Sequence, residues 1–299
     1  MSLLKKGVFA RHETFAIRNG WLRKGFLYAN NEQNFSDENA TVEMGVGKNM
    51  VKSIAYWTEA FKILTRNNSG YVATDLGNYI FASEGYDPYL EDPASLWLLH
   101  YELACNAEIA TTTYWAFNHF NLSEFNAESF TSELLFFCQS QNIRVSENSL
   151  KKDYSVFHRM YSSSSHVSDI DKHNIIESPF LKLKLVTNTG YNSQFRFNFG
   201  EKKTLPKEFV AYAILNQILK KDNIFSVSFD EILHAPFGAG TIFKINTEDM
   251  YLYISKIIES GLIKDCDYTE SAGMNILRIN PENKYEPLDL LKAYYEGVI

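Results

Sequence analysis

Cysteine is scarce in this 299-residue chain: Cys105, Cys138 and Cys266 are odd in number and show no paired spacing. That excludes a disulfide framework and leaves no cysteine pair for a structural zinc. Long apolar runs are also missing, for none approaches the roughly 20 residues that cross a bilayer. The opening MSLLKKGVFARHE lacks the apolar core of a secretory signal. The expectation is a cytoplasmic protein with no membrane partner. Catalytic signatures are absent as well. There is no HExxH, no CxxC and no serine elbow, and GVGKN at 45–49 lacks the spacing of a phosphate-binding loop. The common hydrolase, metalloprotease and redox classes therefore find no support.

An excess of basic charge is missing too, since the net charge is −7. The charge is unevenly spread, however. Residues 1–70 hold ten Lys/Arg against six Asp/Glu, residues 71–150 one against eleven, and residues 151–299 eighteen against nineteen. The base-rich segment is N-terminal and the acidity comes directly behind it. A local excess of cations raises the prospect of a nucleic-acid contact there, while the acidic stretch makes such binding weaker and more salt-sensitive. Hydrophobic residues at 45% and aromatics at 15% describe a folded chain. Its length suits two or three units of about 100 residues each.

The run MGVGKNMVKSI at 44–54 has the pattern of the turn and second helix of a helix-turn-helix. Gly45 falls where the chain must turn sharply, and a left-handed backbone is cheap there without a Cβ. Thr41 stands where a small residue is usual, and Val46 would plug the angle between the helices. Met50, Val51, Ile54, Trp57, Phe61 and Leu64 recur every three or four residues and form one apolar stripe. Lys48, Lys52, Glu59, Lys62 and Arg66 fall on the other side, with Asn49 and Ser53 beside them. Such a ridge suits phosphate contacts and a few base-edge contacts. The DNA-binding candidates are thus Lys48, Asn49, Lys52, Ser53, Lys62 and Arg66. An ordinary amphipathic helix with a solvated charged face accounts for the same pattern.

Around this motif the pattern predicts two short helices over 7–29, a turn at Asn67–Gly70 and a strand at Tyr71–Ala73 that would form a wing. Thr74 can cap a further helix, and Asp92 followed by Pro93 marks another helix start. Helical patterns occupy about 111–120, 127–141 and 146–161. The polar residues from Ser162 to Asn174 form a linker. Beyond it come FLKLKLV at 180–186, a strand-like FRFNF at 195–199, and helices over 205–221, 229–233 and from Asn246 or Thr247 to Gly261. A hairpin over 262–279 turns near Ala272 and Gly273. The fold class is therefore mainly α: an N-terminal winged helix-turn-helix over 1–85, a helical region over 86–161, and a C-terminal α+β, winged-helix-like domain over 175–299. The C-terminal copy is poor in cations, which suits a structural or protein-facing role.

Two places could carry chemistry. Asp87, Glu91 and Asp92 form the densest carboxylate cluster, with His100 and Glu102 on the next helix. Clustered carboxylates can hold Mg²⁺ for phosphodiester hydrolysis, so these three are the candidate metal ligands. Capping by Asp92, a solvated turn and a core position for His100 explain the same residues. In RHETF at 11–15, Arg11 could grip a phosphate and His12 move a proton. Alternatively His12 and Glu13 are a surface pair ahead of a helix that begins near Thr14.

Three blocks, RHETFAIRNGWLRKG at 11–25, MGVGKNMVKSIAYW at 44–57 and DPYLEDPASLWLLHYELA at 87–104, with ESPFLKLKLV at 177–186, together resemble a bacterial family. This is the SspB-like family, labelled a domain of unknown function, whose genes lie beside those of DNA phosphorothioation. The resemblance spans most of the chain. It implies a protein that engages DNA in a sulfur-modification and phage-defence pathway, with DNA nicking as the activity of the best-described type. It also implies a cysteine desulfurase, a sulfur-activating reductase-like enzyme and an ATPase as partners. It places no catalytic residue; what matches is Arg11, His12, Glu13, Arg18, Trp21 and Lys24, then Gly45 to Lys52, then Asp87 to His100. Two functions stand side by side: a DNA-binding component with magnesium-dependent nicking, and a non-enzymatic winged-helix regulator or scaffold.

Overall fold

A computed structural model gives the structure of residues 4, 6–68, 70–162, 177–190, 193–271 and 273–297. About half of the chain is helical and the sheet content is small, so the fold is mainly α. Contacts divide it into two compact units, Met1–Asn198 and Phe199–Ile299. Among the described residues, no helix is long and apolar enough to cross a membrane.

The first unit opens with an irregular segment and then α1 (Trp21–Asn30), α2 (Ala40–Met44) and α3 (Lys48–Ala60). Gly45 separates α2 from α3 with φ +61, the left-handed conformation its position predicts. Strands β1 (Leu64–Asn67) and β2 (Gly70–Ala73) pair antiparallel, with Arg66 opposite Tyr71. Then come α4 (Asp75–Phe81), α5 (Pro93–Ala104), α6 (Thr111–Asn118), α7 (Ala127–Ser140) and α8 (Glu147–Tyr161). Each start after α3 but that of α6 carries a side-chain cap: Thr74, Asp92, the Asn126/Ser129 box and Ser146 accept backbone N–H bonds that the first turn would otherwise leave unmade. Gly77 in α4 lies so close to Ile63 that a Cβ would meet its carbonyl oxygen at 2.2 Å, which seats α4 against the end of α3.

The structure departs from the sequence pattern at three places. Residues 7–20 form no helix; instead Ala10, Glu13 and Thr14 have positive φ, so the chain doubles back. Second, α3 ends at Ala60, because Lys62 turns left-handed at φ +56 and the chain enters β1. Third, the segment after the linker packs on the first unit. A 3₁₀ turn at Pro179–Leu183 lies against α5 and α8, and Phe180 stacks on Phe61 at 5.1 Å and 16°. Strands β3 (Val186–Asn188) and β4 (Phe195–Phe197) come next, with Phe197 against Phe117 and a bridge between Phe125 and Phe195. These buried aromatic rings complete the core of α5 to α8, and the first compact unit extends through them to Asn198. The predicted linker lies outside the described residues from 163 onward.

The second unit contains α9 (Lys207–Leu219), β5 (Ser226–Ser228), α10 (Phe229–His234), α11 (Ala239–Phe243), α12 (Thr247–Glu259), β6 (Cys266–Ser271), β7 (Met274–Ile279) and α13 (Pro287–Glu296). The sheet order is β5-β7-β6, all antiparallel. Asn246 caps α12 and Gly261 lies just past its end with φ +60, as their residue types lead one to expect.

Candidate functional site

The irregular N-terminal segment is held by side chains from far along the sequence. Asp153 of α8 accepts from the Ala10 backbone N–H at 2.7 Å, from Thr112 Oγ1 at 2.6 Å and from His12 Nε2 at 2.8 Å. His12 is turned inward, 4% exposed, stacked on Trp57 and edge-on to Tyr56. Its carbonyl accepts from Ser53 Oγ at 3.0 Å, while Trp57 Nε1 donates to Phe15 O and Arg159 to Thr14 O. Because His12 points in, its neighbours Arg11 and Glu13 point out. They form one wall of a cleft of about 550 Å³.

The floor of that cleft is the Lys52, Ala55, Tyr56, Glu59 face of α3, four residues at helical spacing. The opposite wall is the β1–β2 hairpin with Arg66 and Tyr71, and Phe35 closes one end. Lys6 adds a fourth cation to Arg11, Lys52 and Arg66, against the two carboxylates of Glu13 and Glu59. The existing ion pairs are loose or exposed: Lys52 lies 3.7 Å from Glu13 with both side chains substantially in solvent, and Arg66 Nε lies 3.3 Å from Glu59. Pairs of this kind contribute little and are readily exchanged for another anion. Arg11 is exposed and has no ion pair among the described residues. Arg66 also donates to the Tyr71 hydroxyl and lies over its ring at 4.6 Å. Burial raises the Tyr71 phenol, and Glu59 raises it further while Arg66 opposes. Burial, then the charge of Asp153, raises Tyr56 strongly, so both phenols keep their protons near neutrality.

The six DNA-binding candidates are not one ridge. Lys52 and Arg66 line the cleft, but Arg66 does so from a strand, not from α3. Lys48 and Asn49 are exposed on the first turn of α3, outside the cleft lining. Ser53 is fully buried, so its hydroxyl, spent on the His12 carbonyl, cannot reach a base edge. Lys62 turns away to the buried Glu102 at 2.6 Å; burial alone would depress its ammonium, but the Glu102 carboxylate outweighs that and raises it. The residues that the helical pattern did not single out are Lys6, Phe35, Tyr56 and Tyr71. Only their aromatic and basic types, within or next to the base-rich segment, signalled them.

The carboxylate cluster has a different arrangement from a metal cage. Asp87 is buried, and its oxygens accept from Glu91 N at 2.9 Å, Asp92 N at 3.1 Å and Ser95 Oγ at 2.5 Å. Asp92 caps α5 through Ala94 N at 2.8 Å, and Glu91 is exposed. Three donors thus already occupy the Asp87 oxygens, which leaves this carboxylate committed to the turn that precedes α5. Among the described residues, no group of three or more His, Cys, Asp or Glu is placed to hold a metal ion. His100 is a core residue: its Nδ1 meets Tyr161 OH at 2.9 Å and its ring lies edge-on to Phe117.

A two-unit, mainly helical chain with a cationic, aromatic-lined cleft is thus the class that fold and site define. The family model described as "Protein of unknown function (DUF4007)" matches residues 9–295, and the chain belongs to that family. It is similar to the magnesium ion-bound SspB crystal structure at a TM-score of 0.86 and 28% identity, over 99% of this chain and 89% of that one. A second SspB crystal structure matches at a TM-score of 0.85, with the same identity and coverage. No curated protein sequence matches the chain.

Proposed function

We propose that this protein is the DNA-binding component of a bacterial phosphorothioation and phage-defence system. The observation that carries the reading is the convergence of Arg11, Lys52, Arg66 and Lys6 on one cleft in the base-rich N-terminal segment. Cations spaced along a cleft bind a phosphate backbone without regard to sequence. The likeness to SspB supports the pathway, and the family resemblance of the sequence blocks implies the partners: a cysteine desulfurase, a sulfur-activating reductase-like enzyme and an ATPase. In this reading α2, α3 and the β1–β2 hairpin act as a winged helix-turn-helix, with the hairpin as the wing that supplies Arg66.

Magnesium-dependent nicking is the activity that the family resemblance implies, and the magnesium ion in the related SspB structure supports the metal part of that reading. The engagement of Asp87 with three local donors favours the second reading, a non-enzymatic winged-helix regulator or scaffold, and no hydrolytic step is assigned to residues 87–92. One experiment addresses both. A labelled duplex at low salt is expected to bind, and Lys52→Glu with Arg66→Glu to weaken binding at least roughly ten-fold with a shallower salt dependence. Unchanged affinity would remove the cleft from the DNA contact. Supercoiled plasmid converted to open circles only when magnesium is present would establish nicking, and intact plasmid beside normal binding would establish the scaffold.

A further inference from the structure

We infer that the cleft receives an unpaired nucleotide, its phosphate held by Arg11 and Lys52 and its base stacked on the Arg66–Tyr71 pair. This rests on the DNA-binding reading and goes beyond it in the strand it selects. A helix that reads a duplex must stand proud of the surface to enter a major groove about 12 Å wide. The cleft face of α3 does the opposite. Ala55 at its centre is 6% exposed and Tyr56 is largely covered, while the 10–14 turn rises on one side and the hairpin on the other. Base pairs cannot reach that floor, but a single extruded or unpaired base can. The volume of about 550 Å³ falls in the range of small-ligand pockets and suits a single nucleotide.

The lining chemistry agrees with the shape. Proteins that hold single strands alternate cations for the backbone with flat surfaces for the bases. Here the Arg66 guanidinium lies over the Tyr71 ring, and Phe35 braces that ring edge-on at 5.1 Å. A tyrosine ring held in place by an arginine and a phenylalanine is a preformed flat surface for a further π-system. Arg66 donates to the Tyr71 hydroxyl, which in turn donates to Glu59, and these bonds fix the platform before any ligand arrives. The two phenols stay neutral, so neither repels a phosphate.

The test compares a labelled oligothymidine, a blunt duplex of the same length and a duplex carrying one bulged thymidine, all at low salt with the full chain. The single strand and the bulged duplex are expected to bind more tightly than the blunt duplex. Tyr71→Leu should weaken those two roughly ten-fold and the blunt duplex by a smaller factor, so that the preference for unpaired strand is lost. Because that variant could also disturb the hairpin, the wild-type chain is irradiated with an oligonucleotide carrying 5-iododeoxyuridine, and the crosslinked peptide should contain Phe35, Tyr56 or Tyr71. Blunt duplex binding as tightly as the single strand, or crosslinks confined to residues outside the cleft, overturns the inference and leaves DNA binding standing. No binding of any oligonucleotide overturns both.

Discussion

His12 Nε2 lies 2.8 Å from Asp153 Oδ1 across 141 residues of sequence, with each side chain 5% exposed. The ring's other nitrogen, Nδ1, accepts from the Thr14 backbone N–H at 3.1 Å, so the ring proton sits on Nε2 and is donated to the carboxylate. His12 is thus an inward-facing strut and not a surface base. It ties a turn with three non-glycine residues in left-handed backbone to α8, offsetting the conformational strain of roughly 1–3 kcal/mol at each.

Asp153→Ala leaves Ala10 N–H, His12 Nε2–H and the Thr112 hydroxyl without their acceptor. Losing a buried, multiply bonded carboxylate costs about 3 kcal/mol or more, which a urea titration would read as a clear fall in the midpoint. The turn that aims Arg11 loses its anchor, so oligonucleotide affinity should fall even at temperatures where the variant is folded. A variant that binds normally would show that the turn holds its shape without Asp153.

Asp87 is a second buried acceptor of this kind, and its loss should be felt in stability. Asp87→Ala should destabilise by about 2–3 kcal/mol, since two backbone amides and the Ser95 hydroxyl lose their partner. Glu91→Ala, at an exposed position, should stay within about 0.5 kcal/mol. Thermal melting with and without magnesium should show the same difference between the two variants. A magnesium-induced rise in the wild-type midpoint that Glu91→Ala abolishes would restore residues 87–92 as a metal site.

Much of this architecture was legible because local chemistry decided it. Asp92 before Pro93, Asn246 ahead of Asp249 and Gly45 between two apolar runs each name a helix end by a mechanism that needs no tertiary contact. What escaped was decided elsewhere in the chain. The 10–14 turn puts positive φ on Ala, Glu and Thr, residues that signal no turn, and does so because Asp153 and Arg159 hold it. The helical stripe ran on through Lys62 and Arg66, since hydrophobic spacing cannot register a single left-handed lysine. Ser53 shared the polar face of α3 by spacing, yet the N-terminal segment folds over that position and buries it. The cleft is assembled from residues 6 to 109, so no window of sequence contains it.

In the second unit Lys244 and Lys202 are 4% and 5% exposed, and burial pushes their ammonium groups down to about 7 and about 8, with Asp249 partly restoring the latter. The Lys244 Nζ lies 5.7 Å from the Phe199 ring centroid, on the C-terminal side of α11. The ordinary lysine value is 10.5, so between these values the unfolded chain binds protons that the folded chain refuses. Stability must then rise with pH from about 7 towards 10 and be flat for these groups below their folded values. Each lysine contributes a slope of at most about 1.4 kcal/mol per pH unit. Lys244→Met keeps the buried stem and removes the charge, so it should stabilise the unit at neutral pH and remove about half of the slope. Denaturant unfolding across that window reads both effects. A slope unchanged by Lys244→Met would mean that Lys244 stays protonated when folded, and that its ammonium is accommodated rather than expelled.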